Sequence, residues 1–108
     1  MRTKQKARKR IFTIVWQFRV PARQRRAFER AYGPEGPWGQ LFRMGKGYIS
    51  TDLLRDRETA GRYLTIDRWE SRSAFLSFKK ISISEYKSLD DKCASLTTNE
   101  ALLGKFEG

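Results

Sequence analysis

Apolar and polar side chains alternate along two stretches of this chain, which is the pattern of β-strands. In residues 11–20 the large apolar positions fall on one face of the predicted strand: Phe12, Ile14, Trp16, Phe18 and Val20. In residues 61–69 one face carries Tyr63, Thr65, Asp67 and Trp69, and the other carries Leu64 and Ile66. The first face of the strand at residues 11–20 is therefore expected to lie under helices. For the strand at residues 61–69, the pattern leaves open whether the Trp69 face points towards the helix that follows it or towards a second copy of the chain.

Two further strands follow from weaker alternation. Residues 48–57 are predicted to form a strand with Tyr48, Ser50, Asp52 and Leu54 on one face. A polar turn at residues 55–58 predicts a hairpin with the strand that starts at Gly61. The last strand is predicted at residues 100–106, with Leu102 and Phe106 sharing a face.

Helical periodicity appears between these strands. Residues 22–32 place several arginines around an apolar stripe, which indicates a helix with a solvated basic face. Ser71 is predicted to cap a helix whose apolar stripe is Ala74, Phe75 and Phe78. Ser82 and Glu85 are predicted to form a capping box for a second helix. The stripe of that helix is Tyr86, Leu89, Cys93 and Leu96.

The order strand, helix, strand, strand, helices, strand predicts an α+β, ferredoxin-like βαββαβ domain with a four-stranded antiparallel sheet. Helices cover one face of such a sheet. The other face is partly apolar here, at Ile11, Val15 and neighbouring aliphatic positions. We therefore expect a second copy of the chain to cover it, as a homodimer.

Charge and cysteine content add two expectations. The formal net charge is +11, and residues 1–10 hold six Lys or Arg and no acid, which predicts a basic disordered tail before a domain at residues 11–108. That tail favours at most non-specific nucleic-acid contacts. One cysteine and the lack of a membrane-spanning or signal-peptide pattern predict a cytoplasmic protein with no membrane association.

The strand pair at residues 47–51 and 63–69, with Glu70, Ser71, Ala74 and Phe75 after it, resembles the antibiotic biosynthesis monooxygenase family. Residues 86–90 and 103–106 resemble it as well, so the likeness covers about residues 11–107. The family belongs to the dimeric α/β-barrel superfamily, in which two sheets pack face to face. Some members oxygenate aromatic compounds without metal or flavin, others are quinol monooxygenases, and a related branch degrades haem.

The resemblance implies a pocket for a small planar phenolic or quinone-like compound, oxygenated with O₂ and no bound cofactor. Monooxygenase members can carry an Asn four residues before the strand-end Trp, and Thr65 occupies that position beside a retained Trp69. The expected substrate-binding residues are Trp69, Tyr63, Phe75, Phe78 and Tyr48. The expected catalytic residues are Asp67 and Thr65. Proton removal is expected to fall to Asp67, or else to the substrate's own acidity in a positive field. Thr65, Asp67 or Tyr63 is expected to orient a substrate hydroxyl or carbonyl.

The sequence leaves other functions open and argues against some. No histidine is present, which argues against haem ligation by imidazole, and no Cys/His cluster predicts a metal site. A non-catalytic small-ligand-binding protein of the same fold is the main alternative. An RNA-binding module is a further one, because Lys46, Gly47 and Tyr48 match the start of an RNP1 motif.

Overall fold

A computed structural model describes residues 10–108 of the chain. Its centre is one antiparallel sheet with strand order β2-β3-β1-β4. The strands are β1 Phe12–Arg19, β2 Tyr48–Arg55, β3 Arg62–Trp69 and β4 Asn99–Glu107. The helices are α1 Arg25–Tyr32, α2 Pro37–Phe42, α3 Arg72–Ile81 and α4 Ile83–Cys93. A 3-10 turn at Ala22–Gln24 precedes α1, and another at Ala94–Leu96 follows α4. The predicted ferredoxin-like α+β fold is confirmed.

Burial follows the predicted alternation on the two central strands. On β3 the side chains of Tyr63, Thr65, Asp67 and Trp69 are all buried, and the residues between them are half-buried. On β1 the buried positions include Phe12, Ile14 and Phe18. These residues pack against Phe28 of α1 and against Phe75 and Phe78 of α3, so the aromatic core lies between the sheet and one layer of helices.

The two predicted helix caps have different outcomes. Ser71 caps α3 as predicted, because its Oγ accepts a hydrogen bond of 3.1 Å from the backbone N–H of Ala74. The capping box at Ser82 and Glu85 is wrong. Ser82 also ends α3, where its backbone has φ −104° and ψ 27°. Its side chain makes no capping hydrogen bond to α4. Residue 82 therefore serves two helices at once and cannot take the extended conformation that a capping box needs.

Two bulges change which side chains share a face. β2 shifts register against β3 between Tyr48 and Ser50, so Tyr48 pairs with Trp69 and joins the helix-covered face. The alternation predicted that Tyr48 shares a face with Ser50 and Asp52, and this prediction is wrong. β4 shifts against β1 in the same way, so Leu102 pairs with Trp16.

The shift on β4 also corrects the predicted face of its apolar residues. Phe106 pairs with Thr13 on the open face of the sheet, whereas Leu102 lies on the helix-covered face. Each bulge adds one residue to one strand, which reverses the alternation beyond it.

The polar hairpin tip is confirmed. Asp56 Oδ1 accepts hydrogen bonds from the backbone N–H groups of Glu58 and Thr59, at 2.7 and 3.0 Å. This turn ends β2 at Arg55, two residues earlier than predicted.

The predicted basic tail, residues 1–10, lies outside the described residues apart from Arg10. Within residues 10–108, every helix is too short or too polar to cross a membrane. The cytoplasmic location and the dimeric arrangement stay predictions.

Candidate functional site

A cavity of about 240 Å³ lies between the helix-covered face of the sheet and the helices. All four strands and all four helices contribute to its wall. Its lining residues are Trp16, Phe18, Tyr32, Trp38, Phe42, Thr51, Thr65, Asp67, Lys79, Tyr86, Asp90 and Glu100. Aromatic walls around a few polar groups are the usual composition of a small-molecule site.

A chain of hydrogen bonds leads to the buried carboxylate of Asp67. Tyr48 Oη donates to Thr51 Oγ1 at 2.7 Å, and Thr51 Oγ1 donates to Asp67 Oδ1 at 2.7 Å. Thr51 and Asp67 face each other across β2 and β3, and the bulge at Ile49 brings Tyr48 to the same face. The two hydroxyls therefore fix one carboxylate oxygen, while the same side chain lines the cavity.

Burial sets the protonation of Asp67. It raises the pKa of the carboxyl from its ordinary value of 3.8 to about 6, although the Thr51 hydrogen bond and the charge of Arg68 lower it in part. Within residues 10–108, Asp67 forms no salt bridge. Arg68 instead pairs with Asp52, at 2.8 Å on the open face. A buried carboxylate with a pKa near neutrality is typical of a general base.

Two more acids and one cation line the cavity. Asp90 of α4 and Glu100 of β4 are exposed residues. The wall still removes part of the water around the Glu100 carboxyl, and this desolvation, followed by the charge of Asp90, raises the pKa of Glu100. Lys79 Nζ lies 4.8 Å from the centre of the Tyr86 ring. Three acids against one lysine make the site acidic at neutral pH, which does not match the positive field expected from the sequence.

The aromatic wall comes mainly from elements that no pattern in the sequence connects. Trp38 of α2 meets Tyr86 of α4 edge to face, with ring centres 5.1 Å apart. Tyr32 of α1 lies 6.0 Å from Trp38 by the same measure. Trp16 and Phe18 of β1 complete the wall from the sheet.

Trp69, by contrast, lies in filled core. Its side chain is fully buried, and it faces the helices rather than the open side of the sheet. Four aromatic rings surround it at centre distances of 5.0 to 6.0 Å: Phe42, Tyr48, Phe75 and Phe78. Trp69, Phe75 and Phe78 are not among the residues that line the cavity. The space that they were predicted to enclose is occupied by their own rings.

The other predicted residues are divided between different places. Thr65 and Asp67 line the cavity, two positions apart on β3. Tyr48 lies behind the cavity and contacts it through Thr51. Tyr63 lies outside the cavity, and its hydroxyl donates a hydrogen bond to Glu29 Oε2.

Several lining residues could not be identified from the pattern alone. Tyr86 and Asp90 are four residues apart, so one face of α4 presents both. That spacing was visible, but nothing in it indicated which way the face points. Thr51 could have been found only through its register opposite Asp67, which the bulge at Ile49 determines.

This geometry can be compared with two other functions, metal binding and RNA binding. Within residues 10–108, no group of three or more His, Cys, Asp or Glu side chains is arranged to hold a metal ion. Lys46, Gly47 and Tyr48 lead into β2, which is an edge strand, and Tyr48 points to the helix side. RNA-recognition domains stack bases on aromatics of the open sheet face, so this placement does not favour RNA binding.

The model of the family described as "Antibiotic biosynthesis monooxygenase" matches residues 11–82. No curated protein sequence matches the chain.

Solved structures of low identity share the fold. The cofactor-independent oxygenase SnoaB from Streptomyces nogalater is 19% identical, with a TM-score of 0.61 and 92% of each chain covered. A protein of Deinococcus radiodurans, named after the same family, is 13% identical, with a TM-score of 0.72 and 91% of each chain covered. A conserved protein of Bacteroides thetaiotaomicron is 17% identical, with a TM-score of 0.66, and the match covers 94% of this chain and 100% of that one.

Proposed function

Because the chain belongs to the antibiotic biosynthesis monooxygenase family, we propose that it oxygenates a small planar phenolic or quinone-like compound with O₂ and no bound cofactor. One observation carries the proposal. A buried carboxylate with a pKa of about 6 lines an aromatic-walled cavity, where it can take the proton of a phenol. SnoaB, which has the same fold, is described as a cofactor-independent oxygenase.

The size of the cavity limits the substrate. Its volume of about 240 Å³ is just below the range of about 300–1,000 Å³ that is common for ligand pockets. A compound of one or two fused rings therefore fits better than a polycyclic one. Trp16 and Phe18 on one side and Trp38 and Tyr86 on the other offer ring faces for stacking.

The proposed reaction balances without an added reductant, as 1-naphthol illustrates. Asp67 takes the phenolic proton, and the electron-rich ring passes electrons to O₂. A C–O bond then forms at the ring carbon para to the hydroxyl, and the O–O bond breaks as water leaves. 1-Naphthol and O₂ thus give 1,4-naphthoquinone and H₂O. One atom of O₂ enters the quinone and the other enters water, and the substrate supplies the four electrons that reduce O₂.

The charges around the cavity support Asp67 as the base. Three acids disfavour entry of a substrate that is already anionic, so the phenol is expected to bind neutral and lose its proton in place. Among residues 10–108, Lys79 is the one cationic residue in the wall, and it can stabilise the phenolate that forms. Thr65 is the proposed partner for a second substrate oxygen, since its side chain lies beside Asp67 on β3.

The test is O₂ uptake with 1-naphthol as the probe, together with the absorbance of 1,4-naphthoquinone. Wild type is expected to consume one O₂ per quinone, with a rate that rises as Asp67 ionises around pH 6. Asp67→Asn should lower kcat by about 10²–10⁴-fold, the usual contribution of a general base. Asp52→Asn is the matched control on the open face and should keep the wild-type rate. Equal rates in all three proteins would refute Asp67 as the base.

A non-catalytic ligand-binding protein of this fold is the second candidate. Thr65 favours it, because monooxygenase members can carry an Asn at that position and a hydroxyl offers fewer hydrogen bonds than an amide. Saturable binding of 1-naphthol without O₂ uptake at any pH between 6 and 9 would support this candidate over the oxygenase.

The homodimer is also a proposal. The open face of the sheet presents an apolar band of Val15, Leu54, Leu64, Ile66 and Phe106. A second copy packed on this band would form an interface above roughly 2,000 Å² in total. Sedimentation of the wild type should give a mass of twice the 12.7 kDa of one chain. Sedimentation of Leu64→Asp should give the mass of the monomer. A stable wild-type monomer at micromolar concentration would exclude this arrangement.

A further inference from the structure

We propose that a second cleft, separate from the cavity, binds a small anion rich in phosphate oxygens, such as a di- or triphosphate. It lies between the start of α1 and the β2–β3 hairpin and has a volume of about 560 Å³. Its lining residues are Ala22, Arg23, Arg25, Arg26, Glu29, Arg55, Ala60, Gly61 and Tyr63. None of them lines the cavity, so the inference does not rest on the proposed oxygenase.

Four arginines converge on this cleft from two parts of the fold. Arg23, Arg25 and Arg26 come from the chain that starts α1, and Arg55 comes from the end of β2. One acid, Glu29, lines the same cleft, and the Tyr63 hydroxyl donates a hydrogen bond to it. The local charge is therefore about +3, in a concave space rather than on a convex surface. Guanidinium groups gathered in this way match the geometry of phosphate oxygens.

Arg25 is held in place by the backbone around it. Its Nε donates a hydrogen bond of 3.2 Å to the carbonyl oxygen of Val20. Gly61 has a φ of +84°, and a Cβ there would lie 2.8 Å from Arg25 Nη2 and 2.6 Å from the Val20 carbonyl oxygen. A glycine is thus required both by the conformation and by the close approach of the guanidinium. The remaining N–H groups of Arg25 are pre-oriented, which lowers the entropy cost of binding an anion.

The charges in the cleft lack partners elsewhere in the described residues. Arg43, Arg62 and Arg68 each form a salt bridge, with Glu35, Asp56 and Asp52 respectively. Across residues 10–108, none of the four cleft arginines forms one. Like charges held close together destabilise a fold, so a bound anion would relieve this repulsion.

Tyr63 remains neutral beneath these charges. Burial, and then its hydrogen bond to Glu29, raises the pKa of Tyr63 to about 12, against the lowering effect of Arg25 and Arg55. No phenolate therefore forms at working pH to repel an anion. The positive charge of the cleft is therefore not offset by an ionised Tyr63.

The shape favours a small anion over a nucleic acid. The helix start and the hairpin enclose the arginines from two sides, and the volume is within the common range for small-ligand pockets. A nucleic-acid surface would instead carry a stripe of charges along the backbone path of several nucleotides. The four cleft arginines are clustered around a single concave space rather than spread along a stripe, which suits a compact ligand with three or four negative charges.

The test is calorimetric titration of the full chain with inorganic tripolyphosphate at about 150 mM salt, where diffuse surface attraction is screened. Wild type should show one site per chain. Arg26→Gln/Arg55→Gln removes two exposed arginines and leaves Arg25 to hold the backbone. It should weaken binding by at least about tenfold, because charge-assisted hydrogen bonds are lost. Arg30→Gln/Arg72→Gln removes the same charge outside the cleft and should change affinity by less than about twofold.

A second readout needs no substitution. The backbone amide of Gly61 should shift in NMR spectra of the wild type during the same titration, since its residue lies in the cleft wall. Equal weakening by both double variants, an unmoved Gly61 amide, or no binding at millimolar tripolyphosphate would each overturn the proposal. A single-stranded oligonucleotide that binds more tightly than tripolyphosphate and depends on Arg26 and Arg55 would replace the small anion by a nucleic acid.

Discussion

The two ends of the space between sheet and helices differ in what fills them. At the Trp69 end, four aromatic rings pack around the Trp69 ring with centre distances of 5.0 to 6.0 Å. At the Asp67 end, only two residues away on the same face of β3, the side chains leave a cavity of about 240 Å³. Both ends are rich in aromatics, so aromatic content does not distinguish a pocket from a core.

The polar residues do distinguish them. The Trp69 end holds a packed ring system around the fully buried Trp69, next to Gly45, whose lack of a side chain lets the rings approach. The Asp67 end holds a buried carboxylate that costs stability when it is charged, beside lining residues that include acids and a lysine. A buried ionisable group that the fold does not need for packing is a stronger sign of a ligand site than a tryptophan at the end of a strand.

Removing the Trp69 ring should have the largest effect on stability. Trp69→Ala leaves a void in close-packed core and should lower the free energy of unfolding by about 3–5 kcal/mol. Trp16→Ala is the matched control at the other end, where the ring is half-buried beside open space, and should cost about 1–2 kcal/mol. Urea denaturation measures both values. Equal costs would mean that the Trp69 end is not packed more tightly than the Asp67 end.

Asp67→Asn should stabilise the protein at neutral pH. The pKa of Asp67 is about 6 in the folded state and about 3.8 when unfolded, so the folded state binds more protons between these values. Stability therefore falls as pH rises from about 4 to 6, by up to about 3 kcal/mol in total. Asn remains uncharged and can still accept the Thr51 hydrogen bond.

Melting temperature against pH measures this effect. The difference between Asp67→Asn and wild type should grow from about pH 4 to 6 and then stay level. Asp52→Asn, on the exposed face, should show no such growth. A wild type that gains stability over this pH interval relative to Asp67→Asn would contradict the assignment of Asp67 as a destabilising buried acid.

Gly45→Ala should produce the smallest of the three effects. A Cβ at this position would lie 2.8 Å from both Trp69 Cη2 and Phe78 Cδ1. The rings must then shift, which should cost about 1–3 kcal/mol of unfolding free energy. Binding of 1-naphthol should be unchanged, because the strain falls at the filled end. A tenfold loss of affinity with little loss of stability would place the ligand near Trp69.

Local signals explain why the fold was largely predictable. The alternation on β3 correctly placed its four buried residues on one face, and the Ser71 cap was visible from its position before an apolar stripe. Ser82 failed because its sequence pattern describes one helix start, whereas the residue also ends the preceding helix. Local patterns report local preferences, and a position shared by two elements satisfies only one of them.

The site was less predictable because it depends on register. One extra residue at Ile49 moves Tyr48 to the helix side, where it hydrogen-bonds to Thr51 and so reaches Asp67. No turn or glycine signal in the sequence marks that bulge. The cavity wall also combines one or two residues from each of eight elements, and their meeting depends on how the helices pack. Asp67 and Thr65 could be named in advance because they lie on the strand with the clearest alternation.

The most direct test of the account is where a ligand binds relative to the chain's three tryptophans. Trp16 and Trp38 line the cavity, and Trp69 lies in the filled core, so their indole N–H signals in an NMR titration with 1-naphthol report on the two ends separately. Single Trp→Phe variants assign the three signals. The account predicts that the Trp16 and Trp38 signals shift with a common binding curve while the Trp69 signal stays in place. A Trp69 signal that shifts most, with Trp16 and Trp38 unmoved, would contradict it.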